Sequence, residues 1–476
     1  MPKPTFSQPY YRNEIRPIFN NRVALHTRYG GILTVRDAWD WLNVNQIQRD
    51  AGIQWGGEPP EILGFTYATG PLVGAFSMKA VAEKFSAESK DALLALLFKR
   101  HPGWYTYRRY LTDWRFDWYG FTQAVAETLM ARPLTAPTAK GQMILDNVVV
   151  PKWYAEKMEH LTNLKEPCTG HIGPAYDIVN LGYVDSQKFL PLAFRFRIKS
   201  KKELAPGFKR PKGEPSDDPE VQNKLDLALT MLRWAVKTGI ATRYLVFDGW
   251  WSVFWFLHEL KALGLWWIGK IRRDRRVRRL DGRVGAVGEF AEAIPLYHFP
   301  ELGVDAASYW GYLLPPAYDN KRPPLPAKFV VVRHLREGDD EGGETEEEAH
   351  KRKTLISGQR DLTIVEIVSR YRDRWPIEVF HRDDKQYLGL GRFQMQSFQG
   401  ICGHVAHVYL LHVLLTVMRL QNPWLTKLAI SQLIEDFIHV ICDVEIVDGQ
   451  PSLVLRPDYA FFQVMAEATG GSELDI

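Results

Sequence analysis

The sequence predicts a mixed α/β protein in which a helical N-terminal region precedes a mixed sheet that carries helices on its faces and a β-rich insertion. Three observations lead there. Residues 1 to about 135 carry helical patterning, strand-like runs appear from Gly141 and then alternate with helical ones, and between about Arg272 and Leu355 short apolar pieces sit among Gly and Pro. Strands followed by alternating helix and strand belong to a mixed sheet with helices packed on it.

In the N-terminal region, Met78 to Phe98 reads as two short amphipathic helices around a turn near Ser86 to Lys90. The arrangement suits a helix-turn-helix and equally an ordinary helical hairpin. The stretch HPGWYTYRRYLTDWRFDWYGF then gives the module a cationic, aromatic edge. QMILDNVVV, YDIVNLGYVDS and LPLAFRFRIK read as an antiparallel meander, the last alternating as a half-buried strand does. A basic, Pro-rich loop (Lys199 to Pro215) leads to a helix from about Pro219 to Lys237. RYLVFD follows as a buried strand, WSVFWFLHELKALG as a helix and LWWIGKI as another strand. The insertion contains AIPLYHF, SYWGYLL and KFVVVRHL and ends in the acidic run EGDDEGGETEEE, a solvated loop. Helical texture resumes at Thr363 and continues to about Arg419, and the last fifty or so residues give no specific signal. The expected domains are 1–138 (helical, a candidate DNA-binding domain), 139–271 (first part of the core), 272–355 (β-rich insertion), 356–425 (second part of the core) and a C-terminal segment, 426–476.

With 476 residues, 46% of them hydrophobic, the chain can bury a large core divided among roughly two to four domains. A net charge of +4 is too mild by itself to imply a polyanionic partner. Three widely spaced cysteines, Cys168, Cys402 and Cys442, write neither a disulfide framework nor a four-ligand zinc site. The N-terminus lacks a signal-peptide core, and the apolar run Val405 to Met418, about fourteen residues with two histidines, is too short and polar for a membrane span. The expectation is a cytoplasmic protein with no membrane partner. His404, His407 and His412 have helical spacing but no carboxylate at ligand spacing, which points to packing rather than metal binding.

The chemistry concentrates in three carboxylates. Asp146 ends the apolar run Met143-Ile144-Leu145, and Asp248 ends Tyr244-Leu245-Val246-Phe247. On neighbouring strands, about 4.8 Å apart, the two converge on one metal ion. Either alone is also an ordinary turn former at a strand end. Glu378 lies among aromatic and aliphatic residues, where an unpaired carboxylate is costly, so it needs a cation. Oxygen-only ligation suits Mg2+, with Mn2+ as substitute.

On a continuous helix Tyr371, Arg374, Glu378 and Lys385 fall within roughly a 60° arc. Pro376 allows two alternatives: a helix that starts at Pro376 and leaves Tyr371 and Arg374 before it, or a kinked helix. The spacing Tyr, two residues, Arg, three residues, Glu, six residues, Lys resembles the signature of the insertion-sequence-four type of DDE transposases. RYLVFDGWWS and LWWIGKI resemble that family's second-aspartate strand and the strand after it, and MILDNVVVPK its first, although Asn147 departs from the Asp-Thr often found there. The resemblance covers about residues 140 to 420. It implies an RNase H-like core interrupted between the second Asp and the Glu, with Asp146, Asp248 and Glu378 holding two Mg2+ ions for DNA cleavage and strand transfer. It further implies that Arg374 and Lys385 clamp phosphates and that Tyr371 stacks on or hydrogen-bonds the same strand. Pairing transposon ends before joining them to target DNA requires at least a homodimer.

Two basic stretches support a double-stranded DNA partner: Arg195 to Lys212 has eight Lys or Arg against one acid, and Lys270 to Arg283, with Arg272, Arg273, Arg275 and Arg276, has eight against two. Trp250, beside Asp248, and Trp310 in the insertion are candidates for stacking on an unpaired base. For Arg374 and Lys385 the plain alternative is salt bridging to Asp373, Asp383 or Asp384. For the whole protein the alternatives are a domesticated nuclease or DNA-binding regulator without transposition, and a carbohydrate-active enzyme, suggested by the many Trp and paired acids. The basic stretches and the signature disfavour the last.

Overall fold

The computed structural model describes residues 23–53, 58–96, 101–166, 169–199, 222–319, 321–335, 351–439, 442–447 and 450–454. They form two compact units: Met1–Ala136 with Ala155–Glu159 and Arg382–Ile476, and Pro137–Tyr154 with His160–His381. The acidic run and most of the first basic stretch lie outside the described residues.

In the first unit, helices Ile32–Leu42, Pro60–Thr69, Trp104–Leu111 and Trp118–Ala131 surround the helix Phe398–Gln421. That central helix has 24 residues, longer than its apolar run suggests, and by length and composition it could cross a bilayer. Here its most apolar stretch is buried among the other helices. The three histidines on it serve the interior. Tyr110 donates its hydroxyl proton to His407 Nε2 (3.2 Å), and His407 Nδ1 donates to the Gly403 carbonyl (2.7 Å). His404 joins Tyr67 to the Gly389 carbonyl, and His412 pairs with Asp384 at 3.0 Å.

The predicted turn between short helices is present, with Met78–Lys84 before it and Ala92–Leu96 after it. Asp91 organises it: one carboxylate oxygen accepts from the Leu93 and Leu94 amides and from Thr27 Oγ1 (2.8 Å). Thr27 ends strand β1 (Val23–Thr27), which pairs antiparallel with Cys442–Val447, itself paired with Gln450–Val454.

The second unit is built on a sheet that has twelve strands among the described residues. β2 (Gln142–Pro151), β4 (Ile172–Val184) and β5 (Phe189–Phe196) form the antiparallel meander, with β3 (Thr162–Lys165) sharing the outer edge of β4. A helix then leads to β6 (Tyr244–Phe247), which pairs parallel with β2, and a second helix, Phe254–Ala262, leads to β7 (Trp266–Lys270), parallel to β6. The first of these helices spans Lys224–Lys237, with Asn223 and Asp226 closing a capping box at its start; Pro219, where the sequence places its beginning, lies outside the described residues.

The insertion contributes β8 (Arg276–Arg279), β9 (Val284–Ala286), β10 (Tyr297–Phe299), β11 (Val304–Leu313), β12 (Leu325–Arg333) and β13 (Lys353–Ser357). It continues the same sheet: β13 pairs antiparallel with β7, followed in order by β12, β11, β8 and β9. The protein is therefore mixed α/β on a mixed sheet. Val246, Ile268, Val330, Leu355, Ile367 and Tyr371 belong to a core cluster that spans core strands, insertion strands and the helix Ile364–Arg372.

Candidate active site

Two parallel strands set the first two carboxylates side by side. The β2–β6 register runs Met143 to Leu245, Ile144 to Val246 and Leu145 to Phe247, so the next residues are Asp146, still within β2, and Asp248, just past the end of β6. In-register neighbours share a face of the sheet. The apolar runs are buried on both faces, and each aspartate stands where its run ends. Asp248 Oδ1 accepts from the Trp250 amide at 2.9 Å, and Asp146 Oδ1 from the Asn147 amide at 2.8 Å.

Glu378 arrives on another element. Thr363 caps the helix Ile364–Arg372, a short turn follows, and a new helix, Pro376–Gln386, begins at the proline. Of the two alternatives left by Pro376, the structure has the break, so the four signature residues do not line one continuous helix. Glu378 lies in the first turn, where the helix dipole favours a carboxylate. Asn180, the cross-strand partner of Asp146 on β4, contacts His381 Nε2 at 2.9 Å, which ties the second turn of this helix to the strand beside Asp146.

Arg374, in the turn between the helices, joins the carboxylates. Its guanidinium lies 3.5 Å from Asp146 Oδ2 and pairs with Glu378 Oε1. Its side chain is 5% exposed, that of Asp146 16% and that of Glu378 34%. Arg374 is thus the cation that Glu378 needs, and it pairs with both Asp146 and Glu378. Burial pushes the Asp146 carboxyl up to about 7; Arg374 opposes this, while the negative fields of Asp248 and Glu378 reinforce it.

Other expected contacts fall elsewhere. Tyr371 is 1% exposed within the core cluster, 5.7 Å beneath the Arg374 guanidinium. Its ring is covered by that core rather than presented at the surface. Lys385 occupies the last turn of the Glu378 helix and belongs to the other unit. Trp250 is half exposed, with Lys224 Nζ 4.9 Å above its ring. Arg272 and Arg273 are exposed and paired with Asp274 (2.9 Å) and Glu292 (2.7 Å); Arg276 projects from β8, and Arg275 is partly buried.

Sequence reasoning missed a network on the opposite face of β2. Asn147 donates from Nδ2 to buried Asp177 (2.9 Å), whose other oxygen pairs with Lys224 at 2.9 Å. An Asp at position 147 would set two carboxylates against each other, which explains the departure at Asn147. The available signal was Asp177 and Asn180, polar residues inside the apolar run YDIVNLGYV.

The donor set, three carboxylates with no sulfur or imidazole, fits a hard divalent cation. Among the described residues no three His, Cys, Asp or Glu side chains are drawn together tightly enough to hold an ion, and the Arg374 guanidinium lies between two of the carboxylates. A comparison with curated proteins returned no match. Residues 92–286 match the family model described as DDE superfamily endonuclease, a span that includes Asp146 and Asp248, stops before Glu378 and supports a DDE-type transposase or endonuclease, a divalent-metal enzyme that cleaves DNA.

Proposed function

We propose that the protein is a DDE transposase of the insertion-sequence-four type, with an RNase H-like core, that cuts DNA at transposon ends and joins those ends to target DNA. The observation that carries this reading is the register of the parallel strands β2 and β6, which brings Asp146, within β2, level with Asp248, just past the end of β6, with Glu378 linked to Asp146 through Arg374. The strand order β5, β4, β2, β6, β7, three antiparallel and then two parallel, supports the RNase H-like core. Asp146, Asp248 and Glu378 would hold Mg2+, or Mn2+ in its place. Such ions supply activation of the attacking oxygen and stabilisation of the leaving one.

The chain's own residues do the rest. Arg374, beside two of the carboxylates, suits bidentate contact with a phosphate once those carboxylates bind metal. Trp250 with Lys224 forms a stacking and cationic shelf beside Asp248. Arg272, Arg273 and Arg276 offer positive charge to the duplex backbone. Two copies of the chain bring two ends together.

The test uses a plasmid that carries the gene with its flanking DNA, purified protein and Mg2+. Asp146→Ala, Asp248→Ala and Glu378→Gln each abolish cleavage at the flanks and leave gel-shift binding to those flanks largely intact. Near-wild-type cutting by any one variant removes that residue from the site, and cutting by all three sinks the reading.

A further inference from the structure

We propose that Arg374 is a built-in placeholder for the divalent cation: without metal its guanidinium holds Asp146 and Glu378 together, and an ion loads only as that guanidinium moves away. The inference rests on the reading of Asp146, Asp248 and Glu378 as the carboxylates of a DDE site and goes beyond it in assigning the metal-free state a specific occupant.

The geometry carries the argument. One guanidinium nitrogen lies 3.5 Å from Asp146 Oδ2, and a second contacts Glu378 Oε1. The two carboxylates come from different elements, the middle of a strand and the start of a helix, so the bridge fixes how far apart they stand. Arg374 is nearly buried, and Tyr371 packs beneath it within the core. Three carboxylates gathered at such a site without a counter-charge would be strongly destabilising, so the metal-free protein needs a cation there. The same lone pairs cannot serve a guanidinium and a divalent ion at once, and the two positive charges repel. Metal affinity is therefore lowered by the free energy needed to break the bridge.

The experiment titrates Mn2+ into metal-free wild type, Arg374→Gln, Arg374→Lys, Arg370→Gln and Asp146→Asn, following binding by calorimetry and stability by thermal melting. Arg370 lies one turn earlier, with its guanidinium 3.5 Å over the Tyr244 ring, so replacing it removes the same charge without opening the bridge. Arg374→Gln is expected to bind Mn2+ about tenfold tighter or more, to melt earlier than wild type without metal and to recover when Mn2+ is added. Arg374→Lys, whose single ammonium reaches one carboxylate at a time, falls between, and it carries the test if the Gln variant does not fold. Arg370→Gln stays near wild type. If Asp146→Asn removes Mn2+ binding but Arg374→Gln and Arg374→Lys leave it unchanged or weaker, or if Arg370→Gln tightens it equally, the proposal falls and the site reading stands. If no protein shows Mn2+ binding that depends on Asp146, both fall together.

Discussion

A buried ionisable side chain must find a partner or stay neutral, and the interior of this protein uses both solutions. Asp146 and Glu378 share Arg374, and Asp177 has Lys224 and Asn147. His407 stays neutral: enclosed by Tyr67, Tyr110, Trp118 and Phe121, it is held down to about 4 by burial. Its Nε2 is engaged by the Tyr110 hydroxyl and its Nδ1 by the Gly403 carbonyl, so no site is left for a second proton without breaking the chain. In the unfolded state the imidazole titrates near its usual value of about 6.5. Because the folded value is the lower one, the unfolded state takes up the extra proton first as pH falls. Stability is therefore complete above about 6.5 and declines towards pH 4, by on the order of 3 kcal/mol from this group. Melting temperatures of wild type and His407→Phe measured from neutral to acid pH test this: the variant should lose less stability over that window. Parallel curves would mean that His407 does not titrate differently in the two states.

At the scale of elements, local pattern was legible where an apolar run ends in a carboxylate. Asp146 and Asp248 were visible because each interrupts or ends an apolar run with a charge, β2 continuing past Asp146 to Pro151 and β6 stopping before Asp248, and the break at Pro376 because proline lacks the amide that a continuing helix needs. Pairings between distant segments were not legible. Nothing in Val23–Thr27 specifies Cys442–Val447 as its partner, since β pairing over such a separation is written in shape rather than in local periodicity. The burial of Tyr371 was hidden for a related reason: the residues packed with it include Leu355 on β13, at the far end of the insertion. Gly269, in contrast, has a role that only the structure reveals. It pairs with Phe247 across β6 and β7, and a Cβ there would lie 2.3 Å from the Phe247 ring. Phe247 immediately precedes Asp248, so Gly269→Ala should displace the second aspartate along with the ring. Overpacking of this kind costs about 1–3 kcal/mol. A lower melting temperature is the expected result, with cleavage falling more than the fraction of folded protein does. An unchanged melting temperature would mean that the ring moves aside freely.

On the scale of the molecule, the near balance of 60 cations against 56 acids means that any affinity for DNA must come from where the cations stand. The second unit carries one cluster of cations in the turn after β7 and on β8. Its arginines are not equivalent. Arg272 and Arg273 pair with acids on the surface, bonds worth at most about 1 kcal/mol and readily exchanged for a phosphate. Arg276 projects from β8 into solvent, whereas Val277 beside it is buried. Arg279 stands apart: it lies over the rings of Phe290 (5.5 Å) and Tyr309 (5.4 Å) and contacts Asp281 at 3.6 Å, so it belongs to the packing of the insertion. Replacing Arg272, Arg273 and Arg276 together by Gln should therefore weaken DNA binding and flatten its dependence on salt. Each arginine–phosphate pairing removed lowers the slope of log affinity against log salt by about 0.9, so the slope of the triple variant should fall by about 2.7 if all three touch the backbone. Arg279→Gln should instead lower the melting temperature and leave the slope alone. Fluorescence anisotropy with a labelled duplex, across a series of salt concentrations, measures both slopes. If the triple variant keeps the wild-type slope, these arginines do not face DNA, and the duplex must be held by cations elsewhere on the protein.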